Sequence, residues 1–127
     1  MKTVLVDTNV LMDCAANKID IKKELTRILD ESFEIAIVDR TMEELEVLMH
    51  EKGKKAKDAK LAKTILMTMH VSTIMTEGGH VDKLLLKRAG PDTIIATGDK
   101  EVKQKLKKKG QPVIVVRAKK KLALIGA

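Results

Sequence analysis

The feature that most constrains the fold is a regular alternation of short apolar, β-branched runs with longer stretches of helical spacing. Lys2–Val6, Glu34–Val38, Val71–Met75, Thr93–Thr97 and Pro112–Arg117 predict strands. Between them, Asn9–Ala16, Ile19–Asp30, Thr41–His50, Lys54–Met69, Val81–Ala89 and Lys100–Lys109 predict helices. Strands that alternate with helices pair in parallel, because each crossover must carry the chain back to the same end of the sheet. The fourth and fifth runs are apolar throughout, as strands covered on both faces should be. The expectation is therefore an α/β fold: three layers, α/β/α, around a mainly parallel, five-stranded central sheet.

The chain of 127 residues, 14.1 kDa, is the size of one domain, and no linker, repeat or composition break divides residues 1–127. Residues 118–127 read as a tail that starts basic and ends apolar. The single cysteine, Cys14, has no internal partner, and no apolar run approaches the roughly 18 residues of a membrane helix. A soluble, cytoplasmic protein with no membrane contact is expected.

Charge is unevenly distributed. Residues 1–51 carry 6 basic and 12 acidic side chains, whereas residues 52–127 carry 19 basic and 6 acidic, for a formal net charge of +7. A basic half favours a polyanion partner through steering and counterion release. Phe33 is the only aromatic residue. Single-strand readers that stack bases on aromatic side chains are excluded on that ground, so a nucleic acid would be held by its phosphates.

In open parallel sheets, sites form off the carboxyl ends of the strands. The first strand leads into Asp7-Thr8-Asn9, the second into Asp39-Arg40-Thr41 and a helix bearing Glu43, Glu44 and Glu46. The third leads toward Asp82, and the fourth into Thr97-Gly98-Asp99 with Glu101 beyond. Each acid has an ordinary explanation taken alone. Asp7 and Asp99 suit helix N-caps, Thr41–Glu44 fits a capping box, and Asp82 complements a helix dipole. Together, several carboxylates at one sheet edge repel unless a cation sits among them. Oxygen ligands suit Mg²⁺ or Mn²⁺, as one or two ions. His50, His70 and His80 have no zinc-ligand spacing. Acids that hold such ions, close to lysines that hold phosphates, describe a phosphodiester-cleaving site.

Val4-Leu5-Val6-Asp7-Thr8-Asn9-Val10-Leu11 resembles the opening of PIN-domain nucleases. Met42-Glu43-Glu44-Leu45-Glu46 and Thr93-Ile94-Ile95-Ala96-Thr97-Gly98-Asp99 resemble two later segments of that family, in the same order. The resemblance implies a metal-dependent, usually RNA-cleaving domain whose catalytic and metal-holding acids are Asp7, Glu44, Asp82 and Asp99, with Glu101 as a further candidate. Glu44 is preferred to Glu43 because it flanks the apolar stripe of Met42, Leu45, Leu48 and Met49, and Asp82 to Asp92 because Asp92 starts its strand. Thr8, Asn9 and Thr97 are candidate supporting residues. Lys100, Lys103, Lys105, Lys107, Lys108 and Lys109 are the candidate RNA-binding set.

The C-terminal segments are similar to the archaeal and eukaryotic small-subunit rRNA-processing branch of the family. VapC-type toxins share the fold, length and acids. The resemblance thus implies an endoribonuclease of structured RNA, in rRNA processing with a ribosome-assembly partner. The alternatives are a toxin controlled by an antitoxin, or a non-catalytic RNA-binding scaffold. A receiver-type signalling domain ranks low, since its acceptor aspartate is expected where this chain has Met75-Thr76-Glu77. Homodimerisation through the apolar faces of residues 10–29 is weighed against their burial in an ordinary core.

Overall fold

The computed structural model describes residues 1–126; Ala127, the last residue of the expected tail, lies outside them. The strands are β1 (Lys2–Val6), β2 (Phe33–Val38), β3 (Ser72–Ile74), β4 (Thr93–Ala96), β5 (Val113–Arg117) and β6 (Lys121–Ile125). The helices are α1 (Thr8–Ala16), α2 (Ile21–Ile28), α3 (Asp39–Met49), α4 (Lys54–Thr68), α5 (Val81–Arg88) and α6 (Lys100–Lys108). The sheet order is β3-β2-β1-β4-β5-β6, with β1 to β5 parallel and β6 antiparallel to β5. The α/β/α architecture is as expected, but the sheet has six strands rather than five.

Central β1 shows why its sequence has no polar alternation. Val4 and Val6 pack with α1, α2, α3 and α4 on one face, and Leu5 packs with α5 and α6 on the other. All three are at most 1% exposed. Val10, Leu11, Cys14, Ile21 and Leu25 belong to the first of these cores. Apart from Met12 and Ile28, which are partly buried, the large apolar residues of 10–29 considered for dimer contact are therefore inside the molecule. On α4 the buried residues are Ala56, Ala59, Ala62 and Leu66, and the three alanines allow close packing on α1 and α3, whereas Leu61 is exposed.

The sixth strand replaces part of the expected tail. Ala118 and Lys119 take left-handed backbone angles, φ 54° and 55°, and Lys120 N donates to Arg117 O at 3.0 Å. That is the mirror-image turn geometry of tight hairpins, made here without its usual Asn-Gly signal. The outer edge of β6 is covered by α2. Glu24 Oε1 accepts from Leu122 N at 2.9 Å, and Arg27 Nη2 donates to Leu122 O at 2.7 Å. Side chains thus satisfy backbone groups that an exposed edge would offer to another strand.

Candidate active site

The carboxyl ends of the parallel strands open into a cleft of about 790 Å³, and Asp7, Glu44, Asp82 and Asp99 all line it. Register explains the first contact. Val6 pairs with Ala96, so the residues that follow, Asp7 and Thr97, leave adjacent strands side by side. Asp7 N continues the ladder by donating to Ala96 O at 2.9 Å. Thr97, fully buried, donates its hydroxyl to Asp7 Oδ2 at 2.7 Å and accepts from Asp99 N at 3.1 Å. One hydroxyl therefore ties two of the acids together.

Asp7 stands at the N-cap of α1, yet its carboxylate makes no cap hydrogen bond. The ordinary explanation fails for this residue. Burial pushes its pKa up, and the nearby Glu44 and Asp99 charges add to the shift; the Thr97 hydroxyl and the Thr8 backbone N–H act in the opposite direction. Asp99 does cap α6, with Oδ1 accepting from Val102 N at 2.9 Å. Glu44 accepts a short hydrogen bond from the Thr8 hydroxyl, which links α3 to the start of α1. Asn9 Oδ1 accepts from Gly98 N at 3.1 Å and steadies the turn before Asp99. Each supporting residue expected from the sequence thus contacts an acid or the segment that carries one.

The expected capping box is absent. α3 begins at Asp39, so Thr41 lies within the helix, and its buried hydroxyl has no partner among the described residues. Asp39 instead anchors the loop after β3: its carboxylate accepts from Thr76 N at 3.1 Å and Thr76 Oγ1 at 2.5 Å. Those bonds hold its pKa below the ordinary carboxylate range. Arg40 Nε donates to Gly79 O at 3.1 Å, two residues before α5, and its guanidinium pairs with Glu43. The loop that delivers Asp82 is thereby moored to the start of α3.

Glu101 is not brought into the cleft. It is exposed and pairs with Lys105 at 3.1 Å. Glu43 faces solvent, as its helical position predicts, but still reaches the rim of the cleft. Asp92, exposed at the opposite end of β4, uses its backbone carbonyl to accept from Thr3 N at 2.8 Å. Arg40, Lys55 and Val47 also line the cleft and were not singled out from the sequence. On α6, Val102 and Leu106 are buried against the sheet, while Lys100, Lys105, Lys107, Lys108 and Lys109 are exposed and Lys103 is half-buried. This helix starts at the cleft, at its Asp99 cap, and carries its lysines away from it.

Among the described residues, no three His, Cys, Asp or Glu side chains close into a ready-made metal cage. The donor set is nonetheless carboxylate, clustered around a buried Asp7 whose charge is costly alone. Such a set fits a hard divalent ion held by one or two carboxylates, with water completing the shell.

The fold is a parallel α/β domain with acids gathered off its strand ends. The comparisons give the family: residues 4–119 match the PIN-like domain family. The chain is 34% identical over 130 residues to ribonuclease VapC4 of Methanocaldococcus jannaschii, covering 99% of this chain and 98% of that protein. It is also 34% identical over 124 residues to ribonuclease VapC9 of Archaeoglobus fulgidus, covering 96% and 88%. The structure of the PIN domain endonuclease Utp24 superposes with a TM-score of 0.81 at 26% identity, over 98% of this chain and 92% of that one. The chain belongs to the PIN-domain ribonuclease family. No helix among the described residues is long and apolar enough to cross a membrane.

Proposed function

We propose that this protein is a metal-dependent endoribonuclease that hydrolyses phosphodiester bonds of structured RNA at the Asp7, Glu44, Asp82 and Asp99 cleft. The observation that carries the proposal is the placement of these four carboxylates on one cleft, with Asp7 buried and its pKa raised. In hydrolysis a water oxygen bonds to phosphorus, the bond to the leaving sugar oxygen breaks, and that oxygen takes up a proton. A divalent ion held there, Mg²⁺ or Mn²⁺, would supply charge neutralisation at the phosphate and make the attacking water more acidic. Asp7, Glu44, Asp82 and Asp99 are the residues that would hold it. Thr97 keeps Asp7 oriented and favours its ionised form, Thr8 orients Glu44, and Asn9 fixes the turn that presents Asp99. The lysines of α6 carry the RNA backbone toward the cleft by phosphate contacts.

Two biological settings have support. The resemblance of the C-terminal segments to the small-subunit rRNA-processing branch supports rRNA processing with a ribosome-assembly partner, and likeness to the endonuclease Utp24 supports internal cleavage. The 34% identity to VapC4 supports a toxin ribonuclease in the cytoplasm, controlled by an antitoxin. End-labelled structured RNA incubated with Mg²⁺, Mn²⁺ or EDTA, beside an Asp7→Asn/Asp99→Asn control, tests the activity. Metal-dependent cuts that disappear in the control are expected. Equal cutting in EDTA, or by the double variant, overturns the proposal. The positions of the cuts then separate the two settings.

A further inference from the structure

A further acid, Asp39, leaves the carboxyl end of β2, yet it does not line the cleft. Its carboxylate is occupied by the loop between β3 and α5. Oδ1 accepts from Arg40 N at 3.0 Å and from Thr76 Oγ1 at 2.5 Å, and Oδ2 accepts from Thr76 N at 3.1 Å. Thr76 Oγ1 in turn accepts from Gly78 N at 3.2 Å, and Arg40 Nε donates to Gly79 O at 3.1 Å. The first two residues of α3 therefore hold Thr76, Gly78 and Gly79, just ahead of Asp82. Only a carboxylate can do this. Both oxygens of Asp39 face N–H donors, so an asparagine would turn its NH₂ toward one of them whichever way its amide lay.

The loop needs such a hold. Gly78 and Gly79 have φ 85° and 110°, and an added Cβ would meet nothing within 4 Å at either position. The glycines are thus required by backbone angle, and two in succession leave an untied segment many other conformations. On its far side, Glu77 pairs with Lys87 at 3.0 Å and Arg88 at 3.3 Å, in the last turn of α5. Loop and helix are one piece, seated on the sheet by Val81, Leu84 and Leu85. Apolar burial is non-directional, so it holds α5 down without fixing where its first turn lies. The directional ties are those to Asp39 and Arg40. Glu44 is carried by the same α3, about 7.5 Å along the axis from Asp39 at a rise of about 1.5 Å per residue. The start of α3 thus governs both acids.

We propose that Asp39 is a positioning residue that acts through Thr76, setting the loop before α5 so that Asp82 and Glu44 keep a fixed spacing on the cleft. This rests on the ribonuclease reading and adds to it a residue outside the cleft. Arg40, through Gly79, is the second tie of the same device. Residues that orient metal-holding groups without touching the ion change its affinity by about 10–100-fold.

The test compares wild type, Asp39→Asn, Thr76→Val and Thr76→Ser by NMR, with circular dichroism as a check of the fold. In the metal-free protein, nitrogen relaxation reads the order of the loop backbone. A Mn²⁺ titration then reads the concentration at which the Glu44 and Asp82 signals broaden. Asp39→Asn and Thr76→Val are expected to lower the order parameters of Gly78 and Gly79 from about 0.85 to below about 0.6. Both raise the Mn²⁺ midpoint at least about tenfold. Thr76→Ser keeps the hydroxyl and retains the wild-type order and midpoint. Glu24→Ala, at the opposite edge of the sheet, changes neither. An ordered loop in Asp39→Asn overturns the proposal whatever the metal does. A mobile loop with an unmoved Mn²⁺ midpoint makes Asp39 a structural tether only and also overturns it. If the wild-type cleft signals do not broaden, the metal-dependent ribonuclease reading falls. A loop that loosens in Asp39→Asn but not in Thr76→Ser then still supports Asp39 as the residue that sets Asp82.

Discussion

Thr97→Val removes one oxygen and almost no volume from a fully buried position, yet it strikes the centre of the site. The hydroxyl donates to Asp7 Oδ2 at 2.7 Å and accepts from Asp99 N at 3.1 Å. A hydrogen bond to a buried charged acceptor contributes about 1.5–3 kcal/mol, and an orphaned buried amide costs about 1 kcal/mol more. Valine offers neither partner, so a loss of about 2–4 kcal/mol at neutral pH is expected. The chain has no Trp or Tyr, so urea unfolding is followed by far-ultraviolet circular dichroism. With a slope of about 1.5 kcal/mol per molar, the midpoint falls by about 1.3–2.7 M. The same substitution removes a contact that lowers the pKa of Asp7, so that pKa, read by NMR, moves further up. The acid limb of cleavage moves with it. Thr97→Ser keeps the hydroxyl, leaves the pKa in place and loses about 1 kcal/mol for the methyl group. A Thr97→Val midpoint within about 0.3 M of wild type, with the Asp7 pKa unmoved, refutes this account of the site.

Asp7→Asn should abolish metal-dependent cleavage while stabilising the metal-free protein by about 1 kcal/mol at neutral pH. The sign follows from a folded-state pKa raised above 3.8. The stability contributed by Asp7 is complete below the unfolded value and is lost as pH rises through the folded one. Urea melts across that range check it, and no gain at neutral pH contradicts it. Replacing Lys105, Lys107 and Lys108 with Gln should lower the salt slope of RNA binding by about 2, measured by filter binding. An unchanged slope moves the outer RNA contact away from α6. Glu24→Ala should speed hydrogen exchange at the Leu122 amide about tenfold, since that N–H then has no acceptor on the β6 edge. The folded pKa of Glu24 is lowered, so its contribution is present above the unfolded value and fades as pH falls.

The placement of Asp7 on the cleft was legible because it follows from a strand end alone, whereas Glu44 needed the helical stripe of α3 and Asp82 the start of α5. β1 spans Lys2–Val6 as its sequence predicts, and parallel pairing then sets Asp7 beside Thr97 without further information. β6 was hidden because its turn is closed by Ala118 and Lys119, residues that do not announce a left-handed backbone. The start of α3 was placed two residues late because Asp39 and Arg40 resemble a connecting loop. In the fold they begin the helix and moor the segment before Asp82. Lys55 and Val47 could not be assigned to the cleft from spacing within one helix. Their place on the cleft depends on how α4 returns along α3, and that return follows from small residues at Ala56, Ala59 and Ala62 and the turn at Gly53. Glu101 failed for a local reason: at helical spacing, Lys105 is a nearer partner than the cleft.

The central claim is that four carboxylates from β1, α3, α5 and the end of β4 make one divalent-metal site. Titrating Mn²⁺ into isotope-labelled protein and following paramagnetic broadening in NMR spectra tests it most directly. The account predicts that the signals of Asp7, Glu44, Asp82 and Asp99 disappear first and together, and that Asp7→Asn/Asp99→Asn abolishes the selective loss. Broadening that begins elsewhere, such as at Glu31 and Glu34, or that spares the cleft throughout the titration, contradicts it.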